Sequence, residues 1–208
     1  MFENPFAGVD AAASNVGTTE AVDVERKAQS HSVTLLKNSD ALLSLARDSR
    51  VYVEGVDPVT AAQYGTVVTT PEEADVTVLR LGTPYNQRTG PLKRLFHASR
   101  LAIDTDELAP VLNVCAKVPT VVDIYLERPA VIPEIAHAAA ALVGNYGTGD
   151  GPLLDMLFGR RRPEGRLPFQ LPRSMTDVEH QRPDVPRDGT DPVFECGHGL
   201  SCTTPGKG

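Results

Sequence analysis

The sequence of 208 residues has few cysteines, no long apolar run and no excess of basic residues. Its three cysteines lack the spacing of a metal site, and their odd number does not indicate a disulfide framework. Because no apolar stretch is long enough to cross a bilayer, no membrane partner is expected. The formal net charge is -7, with basic residues dispersed along the chain, so a nucleic-acid partner is not expected either.

The cysteines and the one basic cluster have structural interpretations. Cys115 falls on the apolar face of a predicted helix and is expected to act as a small core residue, while Cys196 and Cys202 are near enough in sequence to pair. Arg160–Arg162 follows an apolar helical stretch and precedes Pro163, which indicates a solvated loop rather than a phosphate site. Residues 1–5 do not resemble a secretory leader, and a cytoplasmic location is expected.

The hydrophobic fraction of 41% is that of an ordinary globular protein, and one domain is expected. Residues 1–17 are rich in small residues and punctuated by Pro and Gly, as in a linker that follows a surface. Residues 18–208 then carry the patterns of a folded domain. Its tail from Pro163 is dense in Pro, Gly and charge, and is expected to wrap the domain.

Short apolar strands alternate with amphipathic helices through most of the chain. Strands are predicted at 33–36, 51–53, 67–68, 76–81, 120–126 and 141–143, with helices between them. Such alternation with short connections predicts an α/β fold, in which a mostly parallel sheet is flanked by helices.

Helical spacing identifies the faces expected to be buried. Ala21, Val24 and Ala28 recur along the first helix of the domain and predict its core side. A later helix begins at a capping-box pair, Asp104 and Glu107, and its core side is predicted to be Leu108, Val111, Leu112 and Cys115.

In open α/β sheets ligands bind beyond the carboxyl ends of the strands. Four segments follow predicted strands in this way: Glu54–Asp57, Gly82–His97, Glu127–Arg128 and Asn145–Asp150. For Asp57 a helix N-cap is the favoured role, and for Glu127–Arg128 a local ion pair is favoured over a substrate contact.

The long irregular segment 82–103 is the best candidate for binding. Tyr85 offers an aromatic face, and Asn86 and Arg88 offer hydrogen-bond donors, which together are the groups that a sugar site uses. His97 is included as a substrate-binding candidate, although packing or capping fits its apolar neighbours better. No nucleophile elbow, phosphate loop, dinucleotide fingerprint or zinc spacing is present, so neither a cofactor nor a metal is expected.

Four blocks in the correct order resemble the C-terminal domain of family 3 glycoside hydrolases. Phe2–Phe6 resembles the linker after the catalytic barrel, and Ala28–Asn38 resembles the helix and "LLKN" strand that open the domain. Pro163–Pro172 is similar to a "GxPxGKLPF…LP" signature, and Gly197–Ser201 to the closing "GxGLS". The resemblance covers nearly the whole chain.

The resemblance implies a flavodoxin-like α/β domain of an exo-acting, retaining β-glucosidase or β-xylosidase. Its partners would be a β-linked saccharide and a barrel domain, in cis or in trans, that supplies the nucleophile. Relatives place a glutamate near the Pro84-Tyr85 dipeptide, whereas this sequence has Thr83 and Asn86. Neither side chain can donate the proton that cleavage requires, so no catalytic residue is assigned and the chain is expected to be inactive alone.

Two interpretations remain open. The chain is either a part of a truncated or split enzyme that works only with a barrel domain, or a non-catalytic carbohydrate-binding or interaction module.

Overall fold

Six strands pair into one sheet in the computed structural model, which describes residues 8–84, 101–182, 184–185 and 187–201. The strands are β1 (Thr34–Asn38), β2 (Arg50–Glu54), β3 (Thr66–Val67), β4 (Val76–Leu81), β5 (Thr120–Tyr125) and β6 (Ala141–Asn145). The helices are α1 (Val9–Asn15), α2 (Thr19–Ser32), α3 (Pro58–Ala61), α4 (Thr105–Cys115), α5 (Pro133–Ala138), α6 (Asp150–Leu157) and α7 (Met175–His180). Two 3-10 turns cover Ser39–Ala41 and Pro71–Glu73.

The strand order across the sheet is β1-β6-β5-β4-β2-β3. Strands β2 to β6 are parallel to their neighbours, and only β1 is antiparallel, to β6. When β1 is left out and the count begins at β2, the five parallel strands have the order 2-1-3-4-5, which is that of flavodoxin. The predicted α/β fold with a mostly parallel sheet is therefore confirmed.

Apolar side chains cover both faces of the sheet, because successive residues of a strand point to opposite sides. In β5, Val121 joins a core shared with α6, whereas Val122 and Ile124 join a second core shared with α4 and α5. Helix α6 contributes Leu153 and Leu157 to the first core, and both are fully buried.

Helix α2 has the opposite orientation to the one that the sequence predicts. Ala21, Val24 and Ala28 are exposed, and Val24 keeps 67% of its surface in solvent. The helix instead packs on α6 through Arg26, which pairs with a buried carboxylate, and Ser30, which is completely buried. Arg26 gives that carboxylate its shortest ion pair, and turning the apolar side of the helix inward would remove this bond.

Helix α4 packs as predicted along most of its core side. Leu108, Val111 and Cys115 contact the second core, but Val114 takes the place expected for Leu112. The helix begins after Asp104, yet the Asp104 side chain does not cap it, so the predicted capping-box bond is wrong.

Cys115 is partly buried, and burial raises the pKa of its thiol. Its predicted role as a small core residue is confirmed. Cys196 is a free thiol, and the pairing predicted with Cys202 involves a residue outside the described part of the chain.

The tail wraps the domain as predicted and closes over the edge strand. Leu167 and Leu171 are buried in the second core, and the Leu200 amide donates to the Leu35 carbonyl at 2.7 Å. A Cβ atom on Gly165 would lie 2.6 Å from the Val33 carbonyl oxygen, which is too close for any side chain. Glycine is therefore the residue that fits at this point of the tail.

The predicted linker region contains the short helix α1, all of whose residues are exposed. The assignment of residues 1–17 as an interdomain linker stays a prediction.

Candidate functional site

A crevice opens where the order of the parallel strands reverses, between β2 and β4. Crossover connections leave in opposite directions at such a point, so the carboxyl ends of the two strands are left uncovered. Glycines allow close approach there: a Cβ atom on Gly55, just after β2, would lie 2.6 Å from the Arg80 carbonyl oxygen of β4. The topology thus places a site at the ends of β2 and β4.

A cavity of about 920 Å³ occupies this position. Its polar lining includes Glu54 at the end of β2, Arg80 and Thr83 at the end of β4, and Asp104 and Glu107 at the start of α4. The apolar part of the wall comes from the second core. Carboxylates, a guanidinium and a hydroxyl beside apolar surface can bind a polar, uncharged ligand with many hydroxyl groups.

Behind the cavity, Arg80 joins two carboxylates from neighbouring elements. Its Nε lies 2.7 Å from Asp123 Oδ2, on β5, and its Nη1 lies 2.5 Å from Asp150 Oδ1, at the start of α6. Arg80 Nη2 is buried and has no hydrogen-bond partner in the described part of the chain. One partly buried cation therefore ties β4, β5 and α6 together beneath the crevice.

Asp123 is completely buried in the middle of the sheet. Burial raises the pKa of its carboxyl, and the neighbouring Arg80 partly opposes the rise. Asn145 Nδ2 donates to Asp123 Oδ1 at 2.8 Å, so both carboxyl oxygens are satisfied. The group is a fixed structural centre without access to solvent.

Sequence reasoning did not identify Arg80 or Asp123. Each is the single charged residue of a mostly apolar strand. Their opposite charges on adjacent buried strands were the signal from which the ion pair could have been predicted. Asn145 lay in a segment chosen for its position, but its bond to Asp123 could not be inferred because it depends on strand register.

The described residues on either side of 85–100 bond to one stretch of chain that begins at the end of β5. Thr83 Oγ1 donates to the Tyr125 carbonyl at 2.7 Å, and Arg128 Nη2 donates to the Pro84 carbonyl at 2.5 Å. At the other end, Leu101 accepts a bond from the Val131 amide at 2.9 Å. The described residues on either side of 85–100 are therefore held close to the carboxyl end of β5.

The predicted sugar-binding residues Tyr85, Asn86, Arg88 and His97 lie outside the described residues, and their roles stay predictions. Asp57 is the N-cap of α3, as predicted, and the Thr60 hydroxyl that bonds its carboxylate lowers the pKa of that group.

The basic cluster is occupied by protein partners. Arg160 lies 3.9 Å from the centre of the Tyr64 ring and 3.7 Å from Asp155 Oδ1, and Arg161 pairs with Asp23 at 3.1 Å. Two arginines of the loop that was predicted to be solvated thus have partners within the protein. The described residues contain no group of three or more side chains suited to a metal ion. None of the described helices is long and apolar enough to cross a membrane.

Comparison with known proteins identifies close relatives of this chain. Emericella nidulans β-glucosidase C is 45% identical over 204 residues, which are 96% of this chain and 33% of the relative. The periplasmic β-glucosidase/β-xylosidase of Dickeya chrysanthemi is 38% identical over 208 residues, covering 96% of this chain and 31% of the relative. The chain thus spans about a third of the length of these curated relatives.

Solved structures share the fold at lower identity. The β-glucosidase of Listeria innocua, solved in complex with isofagomine, superposes with a TM-score of 0.75 at 20% identity, covering 96% of this chain and 37% of that one. The family model described as the glycosyl hydrolase family 3 C-terminal domain matches residues 4–202. On this evidence the chain belongs to glycoside hydrolase family 3, as its C-terminal domain.

Proposed function

We propose that this domain forms one wall of the sugar-binding cleft of an exo-acting, retaining β-glycosidase. The observation that carries the proposal is that the residues flanking 85–100, namely Thr83 and Pro84 on one side and Leu101 on the other, are bonded to the chain at the carboxyl edge of the sheet. The segment holds the candidate sugar contacts Tyr85, Asn86 and Arg88. Two relatives of the chain are named β-glucosidase C and β-glucosidase/β-xylosidase, which supports a β-linked saccharide as the ligand.

Retaining hydrolysis needs two carboxyl groups about 5 to 5.5 Å apart, one as nucleophile and one as proton donor. In this proposal the nucleophile belongs to a barrel domain outside this chain. Thr83 is committed to the Tyr125 carbonyl, and neither it nor Asn86 can protonate a leaving oxygen. The domain therefore binds and orients the sugar but does not cleave it alone.

The test is hydrolysis of an aryl β-glucoside. The 208-residue chain is assayed alone and as a fusion with the part of Emericella nidulans β-glucosidase C that lies outside the shared third. We expect no turnover by the chain alone and measurable turnover by the fusion. Turnover by the chain alone would contradict the proposal.

The same fusion tests the missing proton donor. Asn86→Glu is expected to raise kcat, by the roughly 10²-fold or more that a positioned general acid contributes. Gln87→Glu adds the same charge one residue away and serves as the control. Equal rates for the two variants would show that the proton does not come from this position.

The second candidate function is a non-catalytic carbohydrate-binding module. The observation that favours it is the cavity itself, in which the carboxylates of Glu54 and Glu107 could bond sugar hydroxyls without a barrel. Cellobiose or xylobiose would then raise the Tm of the chain alone. An unchanged Tm at millimolar sugar would leave the split-enzyme proposal as the better one.

A cytoplasmic location is part of the proposal. Cys115 and Cys196 are free thiols, the form that a reducing compartment maintains. One relative is named as periplasmic, so cell fractionation is informative. Recovery of the chain in a periplasmic or secreted fraction would contradict this part.

A further inference from the structure

The residues just before 85–100 form part of the wall of the cavity at the ends of β2 and β4. Gly82, Thr83 and Pro84 continue from β4 into this wall, and Thr83 and Pro84 are buried. Two side chains bond the stretch to the chain after β5, namely Thr83 itself and Arg128, whose Nη2 donates to the Pro84 carbonyl at 2.5 Å. Arg128 is not among the described residues that line the cavity. It therefore contacts the wall from outside the cavity.

The bond from Arg128 fixes the position of Pro84. A buried carbonyl normally accepts a hydrogen bond, and a bond from a charged guanidinium is stronger than one between neutral groups. Because the proline ring fixes φ, the backbone of Pro84 cannot adjust freely around a displaced carbonyl. Loss of the bond is therefore expected to displace the cavity wall at Pro84.

The backbone on both sides of Arg128 is held firmly. The Leu126 amide donates to the Asn145 carbonyl at 2.8 Å, and Leu126 is almost completely buried. On the other side Pro129 favours an extended backbone at Arg128, and Ala130 is completely buried. A guanidinium on a fixed backbone can hold a carbonyl in one place, since its planar group loses less freedom for each bond than a lysine ammonium does.

We propose that Arg128 is a positioning residue of the sugar site. It acts through Pro84, the residue after which the sequence continues into the candidate sugar contacts Tyr85, Asn86 and Arg88. The inference rests on the proposed function for the identity of the ligand. It gives Arg128 a role beyond the local ion pair that the sequence favours.

The test measures KM and kcat separately for an aryl β-glucoside, in the fusion with the part of Emericella nidulans β-glucosidase C that lies outside the shared third. In the proposed function this domain supplies binding groups and no reacting group. Arg128→Met should therefore raise KM about tenfold and change kcat less than about threefold. A merely structural role would lower the amount of folded enzyme, and so the apparent kcat, without changing KM. An unchanged KM for Arg128→Met would contradict the inference.

Arg160→Met is the matched control. The Arg160 guanidinium also donates to a backbone carbonyl, that of Gln63 at 3.2 Å, and it lies over the Tyr64 ring. These residues are not among those described in the cavity wall, so the variant should lower Tm without changing KM. An equal rise in KM for Arg128→Met and Arg160→Met would show that the effect does not come from the cavity wall.

Arg128→Lys tests the bond itself. It keeps a charged donor on a stem of similar length, so its KM should lie between those of the wild type and of Arg128→Met. A KM no lower than that of Arg128→Met would show that the bond to Pro84 is not what matters. If Arg128→Met does not fold, Arg128→Lys takes its place, and an unchanged KM then counts against the inference.

Amide exchange of the 208-residue chain supplies a measurement that does not depend on turnover. Amides of residues 82–83 should exchange faster in the Arg128 variant than in the wild type, and Arg160→Met should leave them unchanged. Unchanged exchange in the Arg128 variant would contradict the inference even if KM rises.

The inference and the proposed function fail separately. A wild-type fusion without turnover would contradict the proposed hydrolytic role, while faster exchange at residues 82–83 would still support the action of Arg128 on the cavity wall. Turnover with a KM that the Arg128 variants do not change would contradict the positioning role alone.

Discussion

At the residue scale, the pair of Arg80 and Asp123 joins a completely buried carboxylate to a guanidinium that is 18% exposed. Replacing Arg80 by Met leaves the Asp123 carboxylate buried without its cation, so we expect the free energy of unfolding to fall by about 3–5 kcal/mol, measured by urea denaturation. Arg50→Met is the control, because the Arg50–Asp75 pair is largely exposed and its loss should change stability little. Asp123→Asn in the Arg80→Met background should recover part of the loss.

The raised pKa of Asp123 predicts a specific pH dependence. The folded state keeps the Asp123 carboxyl protonated to higher pH than the unfolded chain does. The stabilisation that this group contributes to the folded state is therefore complete below the unfolded pKa of about 3.9 and is lost as pH rises through the folded pKa. Urea denaturation of the wild type and of Asp123→Asn across pH measures the difference. The stability of the wild type relative to the variant should fall with rising pH in that window, and a rise would show that Arg80 dominates the carboxyl's environment.

At the element scale, the reversed orientation of α2 is open to a direct test in the chain alone. Ala28→Arg projects into solvent and should change the free energy of unfolding by less than about 0.5 kcal/mol. Ser30→Arg forces a charged side chain into a completely buried position and should cost several times more. Chemical denaturation gives the free energy of unfolding of each variant. If Ala28→Arg were the more destabilising change, the buried face of α2 would be the one that the sequence predicts.

The glycine of the tail segment gives a second test at this scale. A Cβ atom on Gly165 would collide with backbone carbonyl oxygens where the tail meets the start of β1, so Gly165→Ala should cost about 1–3 kcal/mol. Gly82→Ala is the control, since among the described residues no atom other than those of its chain neighbours lies within 4 Å of its Cβ position. Thermal unfolding of both variants is sufficient, and equal Tm values would mean that the tail is free to shift.

Sequence patterns predicted most of the elements because their signals are local. Strand β4 was delimited by its apolar run and the start of α3 by Asp57 and Pro58, which need only neighbouring residues. The rotation of α2 and the site pair of Arg80 and Asp123 could not be predicted in this way. Both depend on partners that the fold brings together from distant positions in the chain.

At the scale of the whole molecule, the two cores on either side of one sheet should let the domain fold without the rest of an enzyme. Amide exchange of the chain alone should show its slowest residues in β5, where Val121, Val122 and Ile124 are fully buried. Residues 9–15 of α1 should exchange almost as fast as an unfolded peptide. Uniform protection across both regions would contradict this description.

The placement of β1 has a consequence for synthesis on the ribosome. Its Leu35 pairs with Val143 of β6 on one side and with Leu200 of the tail on the other. The first strand of this domain must therefore wait for the last described residues before both of its edges are hydrogen-bonded. Nascent chains in which residue 200 is still inside the ribosome would present an open strand edge.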